Sequence, residues 1–103
     1  MKQTFFIAGV QHRPSKGIVK GLAPNVTLDL VPEPTNKYDS NAIRIMFEGV
    51  DLGYVPAKLC DVVHANLTIH ESDLQCTLTT YSPESKPWER LEVTIEPKEF
   101  SNV

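Results

Sequence analysis

Val26-Thr27-Leu28-Asp29-Leu30-Val31-Pro32-Glu33-Pro34-Thr35-Asn36-Lys37-Tyr38-Asp39-Ser40-Asn41-Ala42-Ile43-Arg44-Ile45-Met46-Phe47 reads as strand, break, strand. Val26, Leu28 and Leu30 alternate with Thr27 and Asp29. That period of two puts one face into a core and the other into water. Pro32 to Ser40 cannot continue the strand, because its prolines lack N–H donors and Asn, Asp and Ser favour turns. Ile43, Ile45 and Phe47 then share one face of the next strand, which spans Ala42 to Phe47. Glu48-Gly49 predicts a tight turn, with glycine supplying a positive φ. Val50 to Val55 pairs back as a hairpin.

The elements on either side extend this β pattern. Thr4 to Val10 is apolar and β-rich and reads as a strand. Gln11 to Pro24 holds Pro14, Gly17, Gly21 and Pro24, so it is mainly loop, with room for a short strand at Ile18-Val19-Lys20. Pro56 suits a helix entrance, where its missing N–H costs little. Leu59, Val62, Val63 and Leu67 recur at helical spacing, which predicts a helix over about 56–66, stopped at Asn66 in a left-handed conformation. Leu59, Val62 and Val63 are expected to close one end of the core. Leu74, Cys76 and Leu78, then Leu91, Val93 and Ile95, alternate with polar residues and predict two more strands around a loop at Ser82 to Pro87. The order is β-β-β-β-α-β-β in one domain spanning 1–103. The fold class is mainly β: a small, closed or nearly closed antiparallel barrel of about six strands with one main helix, since closure removes exposed edges.

The chain has 103 residues, and 41% of them are apolar. That length excludes a TIM barrel, a two-domain enzyme and a helicase motor. The longest apolar run, Phe5 to Val10, is too short to span a membrane, and no signal-peptide cleavage pattern follows it. A cytoplasmic protein with no membrane partner is expected. Residues 1–58 carry seven basic and five acidic residues, and residues 59–103 carry three basic and eight acidic, which gives +2 and -5 and the net charge of -3. An acidic chain is ill suited to coating duplex DNA. The acid-free residues 1–20, with Lys2, Arg13, Lys16 and Lys20, still leave room for a local anionic ligand.

No enzyme chemistry is expected. Cys60 and His64 stand i, i+4 on the helix, but nothing supplies an oxyanion hole, and a cysteine beside an apolar stripe is more often core. No glycine-rich phosphate loop and no cofactor motif is present. Cys60, His64, His70 and Cys76 are zinc-type donors without the tight C-x₂₋₄-C spacing, so no metal site is assigned. The more promising chemistry is nucleic-acid binding, in which aromatic faces take bases and a few polar groups take the backbone. Tyr38 and Tyr54 fall at loop or strand-end positions, and Asn36 and Asp39 flank Tyr38. Asp39 repels phosphate but accepts a hydrogen bond from a sugar hydroxyl. The alternative is that Asn36 and Asp39 make Asx turns while Tyr38 packs on the barrel.

The stretch from Glu33 to Ile45 resembles the signature [DE]-P-x-N-x-[YF]-D-x-N-A-I-x-V of the HIRAN domain family. Leu52-Gly53-Tyr54-Val55-Pro56 is similar to that family's element before its helix, and Phe6-Ile7-Ala8-Gly9-Val10 to its first strand. The resemblance implies an OB-like or SH3-like barrel, in a free-standing bacterial or phage-type member. It also implies a non-catalytic module that captures the 3′-hydroxyl end of single-stranded DNA in a repair or replication-fork context, with a helicase or translocase in trans as a further partner. Carried over by motif, Tyr38 would stack on the terminal base, Asp39 would accept from the 3′-hydroxyl, and Asn36 would shape the pocket. Asn41 would tie the turn, and Tyr54 stands where such members have a strand-contacting His. Gln11 and His12, followed by Arg13, replace an Arg-Tyr pair, and Ala57, with Lys58 adjacent, replaces a lysine, so Gln11, His12, Arg13 and Lys58 join Tyr38, Asp39, Asn36 and Tyr54 as the nucleic-acid-binding residues that the resemblance implies. These departures weaken the cationic contacts and leave open a protein-interaction adaptor on the same barrel.

Overall fold

The computed structural model describes residues 2–70 and 74–98. Its strands are β1 (Gln3–Phe6), β2 (Thr27–Pro32), β3 (Ile43–Phe47), β4 (Val50–Tyr54), β5 (Leu74–Tyr81) and β6 (Leu91–Pro97), with helix α1 (Ala57–His70) between β4 and β5. They form one sheet in the order β1-β6-β5-β2-β3-β4, and every neighbouring pair is antiparallel. The period-two reading holds in the burial. Ile43, Ile45 and Phe47 of β3, Leu74, Cys76 and Leu78 of β5, and Leu91, Val93 and Ile95 of β6 all point into one core. Glu48 and Gly49 both have positive φ, at 48° and 82°, the primed turn that matches the twist of a hairpin.

The sheet curls until its edges meet. Beyond β1, Ala8 donates its N–H to the Tyr54 carbonyl at 2.8 Å, and Tyr54 donates back to the Ala8 carbonyl at 2.9 Å. This bridge makes the nearly closed barrel. Gly53 permits it: its φ is 137°, and a Cβ there would collide with the Ala8 carbonyl oxygen.

Five local expectations are corrected. The strand β2 continues through Pro32, which pairs with Ile43, because Glu33 donates to Ala42 and the Pro32 nitrogen therefore faces away from β3, on the side where no N–H is needed. The strand expected over Thr4 to Val10 ends at Phe6, because Gly9, at φ 77°, turns the chain into a 3₁₀ turn at Val10–His12. No strand forms at Ile18-Val19-Lys20. Lys16, Gly17 and Gly21 all take positive φ, so successive turns fold the segment, and Arg90 pins it by donating to the Lys16 carbonyl at 2.7 Å. The helix runs past 66 because Asn66 does not adopt a stopping conformation; its side-chain amide donates to the Val62 carbonyl one turn back, at 2.8 Å. Val62 is 38% exposed and does not close the barrel. The buried stripe is Cys60 and Val63, flanked by the partly buried Leu59 and Leu67, because Val62 lies about 100° round the helix from Val63.

Candidate nucleic-acid interface

The connection between β2 and β3 is held by side chains. Glu33 N–H donates to the Ala42 carbonyl at 2.9 Å and closes the base of the turn. The Asn36 side-chain oxygen accepts from the backbone N–H groups of Tyr38 at 2.9 Å and Asp39 at 3.1 Å. Asp39 Oδ1 accepts from Asn41 N–H at 2.8 Å, and Asn41 Nδ2 donates to Asp61 Oδ1 on α1 at 2.8 Å. Both Asx turns are therefore present. Tyr38 does not pack on the barrel: it is 87% exposed, with Lys37 Nζ 5.4 Å from its ring centre. Fixed backbone and free ring together make a rigid aromatic lip.

Below that lip lies a groove of about 420 Å³. Asn36, Tyr38 and Asp39 form one wall, and Ala8, Arg13 and Tyr54 at the barrel seam form the other. Ala57 and Cys60 of α1 close one side. The groove thus gathers Asn36, Tyr38, Asp39, Tyr54 and Arg13. Gln11 and His12 are exposed on the 3₁₀ turn and are not part of its walls. They sit beside a second 3₁₀ turn, Pro87–Glu89, which carries the half-exposed Trp88 with Lys86 Nζ 5.6 Å from its ring. Lys58 lines a separate groove against β1.

A charged network fixes the seam wall. Arg44 donates from Nε to Glu33 at 2.6 Å, from Nη1 to Asp51 at 2.6 Å and from Nη2 to the Tyr54 hydroxyl at 2.7 Å. The Tyr54 hydroxyl donates to Glu33 Oε1 at 2.9 Å, and Asn36 Nδ2 donates to the same oxygen at 3.1 Å. Arg13 Nη1 donates to Asp51 Oδ2 at 2.8 Å. Both guanidinium groups lie near the Tyr54 ring, Arg13 at 5.7 Å and Arg44 at 5.2 Å from its centre. Desolvation pushes the Glu33 carboxyl up, but hydrogen bonds from Asn36, Tyr54 and Arg44 outweigh it, and its pKa falls below the ordinary value. The hydrogen bond to Glu33 raises Arg44. Burial and the same carboxylate raise Tyr54, so its hydroxyl stays a donor.

Glu33, Arg44 and Asp51 are the members that sequence reasoning left without a role. The signal was the hairpin register. Arg44 stands directly opposite Tyr54 across β3 and β4, and Asp51 opposite Met46, where a bulge shifts the pairing.

The cysteines are core residues. Cys60 donates from Sγ to the Val55 carbonyl at 3.4 Å, and burial pushes its thiol up. Burial pushes Cys76 up to about 12. Neither thiol is prepared to act as a thiolate. The His70 side chain, one of the zinc-type donors weighed above, lies outside the described residues. Among the described residues no helix is long and apolar enough to cross a membrane.

These features define a small β-barrel domain with an aromatic-lipped, partly charged groove at its seam. The HIRAN domain profile matches residues 2–98, and the chain belongs to that family. HIRAN domains are DNA-binding modules, so membership supports nucleic-acid binding. Among solved structures, a protein from Lactobacillus plantarum is similar with a TM-score of 0.74 at 19% identity, over 92% of this chain and 95% of that one. The HIRAN domain of human HLTF is similar with a TM-score of 0.65 at 16% identity, over 95% of this chain and 77% of that one. At such identities the likeness establishes the OB-like fold. No curated protein matches the sequence.

Proposed function

We propose that the groove takes the 3′-hydroxyl end of single-stranded DNA and that the domain is a non-catalytic module of cytoplasmic DNA repair or replication-fork processing. A helicase or translocase acting in trans would be its partner in that setting. The observation that carries this reading is Tyr38, an 87% exposed ring on a backbone locked by the Asn36 side chain. Such a ring offers a base a stacking surface whose backbone needs no ordering on binding. Asp39 stands beside it on the groove wall with Oδ1 committed to Asn41. Its second oxygen is the acceptor that a terminal hydroxyl needs and that a terminal phosphate would be repelled by.

The test is fluorescence anisotropy with one short single strand ending in either a 3′-hydroxyl or a 3′-phosphate. The wild type prefers the hydroxyl end. Asp39→Ala loses affinity for that end and leaves the phosphate end little changed, so discrimination falls as well as affinity. Melting temperatures are compared in parallel, because Asp39 also holds Asn41. Equal binding of both ends, or no binding at about 100 μM, overturns the reading.

One observation favours the second reading, a protein-interaction adaptor. Arg13 on the groove wall and Arg44 behind Tyr54 are already neutralised by Asp51 and Glu33, which leaves Lys37 beside the Tyr38 ring as the cation at the lip. A site built that way gains little from phosphate charge.

A further inference from the structure

We propose that the free edge of β1, with the groove between it and the start of α1, docks an extended acidic peptide that joins the sheet as an added strand. This surface is separate from the groove under Tyr38, and the inference does not rest on DNA binding.

Backbone direction alternates along an antiparallel strand. Ile7 donates to the Leu91 carbonyl at 2.9 Å, toward β6, whereas Ala8 exchanges both hydrogen bonds with Tyr54 on the opposite side. Two and four residues back from Ala8, Phe6 and Thr4 therefore turn their N–H and C=O groups to that same opposite side. No described strand pairs with them there. β4 leaves the edge after Tyr54: Val55 turns its N–H to the Ile43 carbonyl at 3.0 Å, and Pro56 has no N–H to offer. What remains is a groove of about 570 Å³ with Gln3 to Phe6 along one wall and Pro56, Lys58 and Leu59 along the other.

An unpaired edge of this kind is a template for extended backbone. Gln3–Phe6 is a short edge of four residues that contains neither proline nor lysine, and Phe6 is 43% exposed. Lys58 is the one charged residue among the groove's lining, and the first turn of α1 holds no acidic residue. Lys2, which flanks the strand, is already paired with Glu96 at 3.7 Å, so Lys58 carries the attraction for an acidic partner. The complement is a peptide that alternates apolar residues with Asp or Glu. A nucleic-acid strand would meet the same Lys58 but offers no ladder of amides for Thr4 and Phe6. A second copy of the barrel would bring its own neighbouring strands against the α1 wall, which a single extended segment avoids.

The probe is a fluorescein-labelled heptapeptide alternating valine and glutamate, titrated by anisotropy, with amide exchange followed by NMR. Saturable binding is expected, with slowed exchange at Thr4 and Phe6. N-methylation of the peptide on its bonding edge should weaken binding about tenfold, the loss expected of two hydrogen bonds. The Lys58→Glu variant should weaken it several-fold, and a valine–lysine peptide should bind less well than the glutamate peptide. Thr4→Pro removes the outward-facing N–H, together with the Thr4–Thr94 hydroxyl contact at 3.0 Å, and should weaken binding while leaving the backbone ladder to β6 in place. The N-methyl arm leaves the protein unaltered, so the test survives a Thr4→Pro variant that fails to fold. Equal binding of the N-methylated peptide, slow exchange of both amides in the free protein, or no binding at about 1 mM overturns the proposal. So does a short oligothymidine that occupies this edge in the peptide's place.

Discussion

Across β5 and β6 the ladder runs from Leu74 opposite Pro97 to Tyr81 opposite Leu91, with apolar side chains alternating inward along both strands. Between Glu33 and Asn41 the chain makes few backbone bonds to itself, and Asn36 and Asp39 take over the work of a ladder. The hairpin would accept many sequences with the same alternation, because its energy is burial and backbone pairing. The turn accepts few at positions 36 and 39, because those two side chains satisfy named backbone groups. Stability is concentrated in the region of interchangeable residues, and recognition in the region where residues are individually specified.

That contrast breaks most sharply under truncation on each side. Leu78→Ala in β5 removes a fully buried side chain and should cost ~2–5 kcal/mol of stability through transfer and cavity terms, measured by urea unfolding. Whatever fraction stays folded should bind DNA as before. Tyr38→Ala should do the reverse. Stability should change by less than about 0.5 kcal/mol because the ring is exposed. Binding should fall by ~1–3 kcal/mol irrespective of the terminal base. An equal loss of stability in both variants would mean that the lip is part of the core.

Asn36→Ala sits between these extremes. It removes the acceptor for two backbone N–H groups and a donor to Glu33, and should cost ~1–2 kcal/mol of stability. Its loss of DNA affinity should resemble that of Tyr38→Ala, since the ring remains but its backbone is released. Retained affinity would show that the preset turn contributes nothing. The smallest effect is salt dependence. With Arg13 and Arg44 held by carboxylates, one or two phosphate contacts remain, and the log–log slope for a single strand should be about -0.7 to -1.4. A slope steeper than about -5 would require a basic surface that the groove lacks.

The strands and their order were legible because period-two burial is local: Ile43, Ile45 and Phe47 declare their face without reference to the rest of the chain. The Glu48-Gly49 turn was legible for the same reason. The charged network was not. Arg13 is 38 residues from Asp51; Glu33, Arg44 and Asp51 lie on different strands or turns; and each alone reads as a solvated charge. Only the β3–β4 register brings Arg44 to Tyr54, and only the curl of the sheet brings Arg13 to Asp51. The error at Val62 had a different source. Leu59 allows a stripe through either Val62 or Val63, and docking on the barrel chose Val63 with Cys60. The placement of Lys58 on the β1 side follows from the same docking.

The Ala8–Tyr54 bridge also sets what variation the groove can tolerate. Tyr54 supplies the backbone that fastens the seam and the ring that walls the groove, and Gly53 beside it has no room for a side chain against the Ala8 carbonyl. A bulkier ligand cannot be accommodated by letting out the seam, because any substitution that widens it at position 53 undoes the fastening first. What can vary is the lip itself: the side chain at position 38 stands clear of the bonds that fix the turn and can change while the turn and the barrel stay as they are.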